Sequence, residues 1–115
     1  MSVNKTYAVI LGIVLAVVGV WGLFTNMILG LFGVNMLQSV LHLIAAALGI
    51  YAGTKGDGLT YNMFLGWVGV ALGILGFIPT VSGLLMTYFN INPAISVLHI
   101  VIGVVSLGVR YLVKG

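Results

Sequence analysis

Cysteine is absent from this 115-residue chain, and only one acidic residue, Asp57, is present. Without cysteine there are no disulfides, thiolate metal sites, iron–sulfur ligation or cysteine nucleophiles. One carboxylate cannot form a general acid–base pair, so carboxylate catalysis of that kind is excluded. Nor is a carboxylate available inside an apolar run for cation coupling, which argues against a coupled transporter. Charge of either sign is scarce, at 4% of residues. Soluble domains carry about 25%. The four basic residues do not cluster into a face that could bind nucleic acid. Only two prolines occur, and both lie in the second half, at Pro79 and Pro93.

What is present is hydrophobic. Apolar residues make up 62% of the chain, and its mean hydropathy is +1.31. So little charge cannot keep a surface in water, which predicts an integral membrane protein of one domain. Four apolar segments are expected to cross as helices: 6–24, 36–53, 62–78 and 93–113. A crossing takes about 20 residues. A barrel would need period-two alternation, and none appears. The first segment is too long for a signal core and lacks a small-residue cleavage site.

The chain repeats itself. Phe32-Gly33-Val34-Asn35-Met36-Leu37-Gln38-Ser39-Val40-Leu41-His42 recurs as Phe89-Asn90-Ile91-Asn92-Pro93-Ala94-Ile95-Ser96-Val97-Leu98-His99, 57 residues later. Carried on without a gap, that offset maps Gly12 onto Gly69, Leu15 onto Leu72 and Gly19 onto Gly76. The expected architecture is therefore all-α: a four-helix membrane bundle of two tandem hairpins, residues 1–57 and 58–115, related by a pseudo-two-fold axis along the membrane normal. Asn35 and Asn92 are expected helix caps, with Pro93 in a first turn that tolerates it. Lys5, Lys55, Arg110 and Lys114 fall on one side of such a topology. The positive-inside rule then puts both termini in the cytoplasm. The uncharged connections 25–34 and 80–91 are apolar. They either fold over the bundle mouth or continue the preceding helices.

Small residues recur at helical spacing: Gly12, Ala16 and Gly19; Gly66, Gly69, Gly73 and Gly76; Ala46, Gly49 and Gly53; Gly103 and Ser106. Such stripes let helices approach closely in lipid. They would equally give a smooth wall beside a planar ligand. The glycines of the third segment imitate a phosphate loop by spacing alone, inside an apolar span where no such loop forms.

The repeat puts the only two histidines, His42 and His99, at equivalent depth, about two turns or ~10 Å past each asparagine. Ionisable side chains at that depth are candidates for function. Interhelical hydrogen bonding, joined by Ser39 and Ser96, is one role. Axial ligation of haem b by both imidazoles is another, and chlorophyll ligation a third. Zinc lacks its third and fourth ligands. A channel lacks a charged ring or a filter-like loop.

The duplicated Asn-x6-His-Leu block resembles a family of small bacterial and archaeal four-helix membrane proteins known only as a domain of unknown function. Asn35, His42 and Leu43 match in the first copy, and Asn92 and His99 in the second, where Ile100 replaces the leucine. The resemblance implies a fold and a prokaryotic plasma membrane as the location, and no activity. The leading expectation is a non-enzymatic accessory or structural subunit, in contact with membrane lipids and packed with other membrane proteins or further copies of itself. A haem or pigment protein and a lipid or hydrophobic-ligand binder are the alternatives.

Overall fold

The computed structural model describes residues 2–113, so Lys114 lies outside the described residues. Five helices are seen among them: α1 (Val3–Gly22), α2 (Met36–Lys55), α3 (Leu59–Leu75), α4 (Val81–Phe89) and α5 (Pro93–Leu112). Two short strands, β1 (Met27–Ile28) and β2 (Phe32–Gly33), pair antiparallel between α1 and α2. The expected four-helix bundle is thereby corrected. The protein is all-α, but only α1, α2 and α5 are long and apolar enough to cross a membrane. It is an integral membrane protein on that ground. α3 is apolar but has 17 residues, a rise of about 26 Å against a core of ~30 Å.

The physical reason lies at Pro79. Its ring cannot continue a helix, and the chain turns at Phe77–Thr80 before α4 begins. Thr80 there adopts a φ of 73°. The third helix therefore stops at Leu75, short of the expected residue 78. α1 likewise ends at Gly22, where 24 was expected. The two connections differ in kind. The first turns through Leu29 and Gly30, both at positive φ, to pair β1 with β2. The second forms α4, which ends on Asn90 in the left-handed conformation.

Helix starts follow the sequence. The Asn35 side chain accepts the Gln38 N–H at 2.8 Å, and Asn92 accepts that of Ile95 at 3.0 Å. Ser2 caps α1 by accepting from Lys5. Each cap satisfies a backbone donor that the helix cannot.

α1 packs antiparallel on α2, and α3 on α5, through glycine. A Cβ on Gly12 would lie 2.8 Å from the Ala46 carbonyl oxygen, and one on Gly22 would collide with the Ser39 hydroxyl. In the other hairpin, a Cβ on Gly66 would lie 3.1 Å from the Gly103 carbonyl oxygen, and one on Gly76 would collide with the Ser96 hydroxyl. By their contacts, then, Gly12, Gly19 and Gly22 answer to Gly66, Gly73 and Gly76, an offset of 54. The ungapped offset of 57 holds for α2 and α5, where Ser39 answers to Ser96. It misaligns α1 with α3, so Gly69 is not the counterpart of Gly12. Measured between equivalent positions, Gly22 to Met36 and Gly76 to Pro93, the second connection is longer by three residues, and α4 lies within it.

Candidate functional site

Two sets of hydrogen bonds hold the hairpins together, one at each end. At the end where the chain begins, the Asn62 amide donates to the Asn4 backbone and side-chain oxygens at 3.1 and 3.0 Å, and the Asn4 amide donates to the Val109 carbonyl at 3.3 Å. Tyr7 and Ser106 share a hydroxyl–hydroxyl bond, and the Tyr61 hydroxyl donates to the Ala45 carbonyl at 2.8 Å. A Cβ on Gly53 would lie 2.6 Å from the Lys5 carbonyl oxygen. These contacts gather Lys5, Lys55 and Arg110 at one end of the molecule.

The opposite end is clasped by side chains of the repeated block. The Asn35 amide donates to the Tyr88 carbonyl at 2.8 Å, and the Asn92 amide donates to the Leu31 carbonyl at 3.0 Å. The exchange is reciprocal: each helix-capping asparagine also reaches the other hairpin's connection. Gln38 donates to both Gly33 and Phe89 carbonyls, and Asn90 to those of Asn26 and Val34.

Between the two ends the seam is apolar. One cluster, nearer the clasp, is built on Ile28, Val34, Ile91 and Ile95, with Val18 and Leu98 against it. The other is built on Ala8, Leu11 and Tyr61, with Leu15, Leu65 and Ile102 against it. His42 and His99 meet in this middle stretch. Their ring centroids lie 6.4 Å apart, with the planes at 65°. α2 and α5 themselves make no substantial helix–helix contact. The two rings approach each other across that distance.

The Nδ1 atom of each histidine is buried and has no hydrogen-bond partner. Leaving such a group unmet costs about 1–3 kcal/mol. Ser39 and Ser96, expected to join a histidine network, do not. Their hydroxyls lie against Gly22 and Gly76, buried and unpartnered. The glycines expected beside a planar ligand are also placed elsewhere. Gly12, Gly19, Gly69, Gly73 and Gly76 face the partner helix within their own hairpin. Gly49 lies beneath the Tyr61 ring, and Gly103 lies against Val70 and Gly66. Among the described residues no group of three potential metal ligands occurs. The histidine pair can offer a metal two nitrogens, one from each hairpin.

Sequence reasoning missed Asn4, Asn62 and Gln38. All three are buried polar residues in the first turn of an apolar helix. That position was the available signal, since a polar side chain inside a membrane must find a partner.

Comparison with curated proteins and with solved structures finds no match. A family model described as a domain of unknown function, DUF4383, matches residues 5–112. The match covers nearly the whole chain, and the protein belongs to the DUF4383 family.

Proposed function

We propose that this protein is a non-enzymatic subunit of membrane assemblies, built to present apolar helix faces to lipid and to other membrane proteins. The observation that supports this reading best is the use of its buried polar side chains. Asn4, Asn62, Gln38, Tyr7 and Ser106 bond across the hairpins or to backbone, so they serve assembly of the fold. The outward surface is apolar along α1, α2 and α5, with Val17, Ile44, Leu48 and Val104 all exposed. The short α3 adds a second argument. An apolar helix shorter than the hydrocarbon core is accommodated by bilayer thinning or by association with neighbours, and its exposed Phe64 and Trp67 offer area for that.

The two hairpins are read as products of one tandem duplication in a prokaryotic membrane protein, with the Asn–His block as its most legible remnant. The end that gathers Lys5, Lys55 and Arg110 is assigned to the cytoplasm by the positive-inside rule. Both chain ends then lie on that side.

The test is the mass of the protein extracted from its native membrane in mild detergent, measured by light scattering. An assembly several times the 12.1 kDa chain is the expected result. A lone chain at every protein-to-lipid ratio refutes the subunit reading. Sidedness is tested separately with single cysteines at Asp57 and Leu31, each unique in a cysteine-free chain. An impermeant thiol reagent on intact cells should label the Leu31→Cys protein alone.

A further inference from the structure

We propose that His42 and His99 are the two axial ligands of a single haem-type iron held in the seam between the hairpins. The inference is independent of the subunit reading, because it concerns the middle of the seam and not the outer surface.

The geometry comes first. One imidazole comes from each hairpin, and the centroids stand 6.4 Å apart. That separation matches one metal atom bonded to a nitrogen of each ring at the ~2.0–2.1 Å typical of imidazole–metal bonds. It leaves no room for two stacked pigments with one histidine each. The rings can rotate about their own metal–nitrogen bonds, so the 65° between their planes is no obstacle. Among the described residues no third histidine, cysteine or carboxylate stands with the pair. A metal held there must bring the rest of its coordination sphere.

Charge selects among such metals. Asp57 is the only acid and sits in the turn after α2, where it accepts the Leu59 N–H. A bare cation between the histidines would carry its whole charge into hydrocarbon with no counter-ion, at a cost of several kcal/mol or more. A tetrapyrrole brings two negative charges on its inner nitrogens. These cancel ferrous iron and leave a neutral core. Two neutral imidazoles donate their lone pairs, and no proton or electron need move on binding.

Space follows from how the hairpins are joined. Most of their hydrogen bonds lie toward the two ends, with the Tyr61–Ala45 bond one turn from His42, and the seam between is packed with apolar side chains that include Leu15, Val18, Leu98 and Ile102. A flat ligand normal to the line between the rings lies along that seam. Such a ligand would have to displace the apolar side chains packed there. The Tyr61 hydroxyl, at the Ala45 carbonyl, lies on the Lys5 side of the pair and offers a polar partner to the acid groups of the macrocycle.

The test is titration of purified detergent-solubilised protein with haemin, followed by dithionite. Saturation at one haemin per chain with a low-spin spectrum that sharpens on reduction is expected. His42→Gln and His99→Gln should each weaken binding at least tenfold while their elution volume stays that of the wild type. His99→Met guards against loss of folding: it should keep the haem and raise its reduction potential, as a histidine–methionine pair does. Unsaturable uptake, uptake by either glutamine variant as tight as that of the wild type, or a metal found at the pair without a tetrapyrrole would each overturn the proposal.

Discussion

Replacing Asn92 with alanine should destabilise the protein by about 1.5–3 kcal/mol, because that side chain has two jobs. Its oxygen accepts the Ile95 N–H and caps α5, while its amide donates to the Leu31 carbonyl in the other hairpin. Loss of an N-cap costs about 1 kcal/mol, within a range of 0.5–2. Loss of the second hydrogen bond adds about 0.5–1.5 kcal/mol. Asn92→Ser separates the two. A serine oxygen can still cap the helix, but its short side chain cannot extend to Leu31. The serine variant should therefore recover about 1 kcal/mol of the loss and no more. Asn35 makes the reciprocal bond to the Tyr88 carbonyl, so Asn35→Ala and Asn35→Ser should reproduce the pattern. The assay is reversible unfolding in mixed micelles, followed by circular dichroism against denaturant fraction. An alanine variant within about 0.5 kcal/mol of wild type refutes the double role, since that is the scale of neutral surface changes. A serine variant as stable as wild type refutes the cross-hairpin bond and leaves only the cap.

Other perturbations separate buried features from open ones. Gly12→Ala puts a methyl against α2 backbone at 2.8 and 2.9 Å. The same unfolding assay should show a loss of about 1–3 kcal/mol from overpacking, reduced by alanine's higher helix propensity. Gly108→Ala meets nothing within 4 Å, and should be neutral or stabilising by up to about 1 kcal/mol. Tyr7→Phe removes the bond to Ser106, but Ser106 keeps its donation to Ile102 at 2.7 Å; a loss of about 0.5–1 kcal/mol is expected. Asn62→Leu leaves the buried Asn4 side-chain oxygen without its Asn62 donor, and should cost about 1–3 kcal/mol in the same assay.

The legible parts of this protein were local. An asparagine followed three residues on by a free backbone N–H is a cap, and the repeated block announces it twice. A proline at position 79 marks a break in the apolar run after residue 62, although reading that run as a full span overestimated α3. Whether the segment 80–91 folded separately or prolonged the third helix was open from composition, because an apolar run of that length serves either. The structure makes it α4, since Pro79 and the positive φ of Thr80 redirect the chain before Val81.

The sequence by itself determined the membrane class, the helix starts at Asn35 and Asn92, and the equal depth of His42 and His99 along their helices. Each depends on composition or on residues a few positions apart. Tertiary structure alone decided which faces meet. The glycine stripes could have lined a ligand or a helix, and packing assigns them to helix pairs within hairpins. The three-residue difference between connections shifted α3 against α1, which a gapless alignment could not register. The asparagine caps acquired partners 53 and 61 residues away, and the two histidines came to 6.4 Å across a seam. Such separations follow from how two hairpins dock, and no local pattern in the chain encodes that distance.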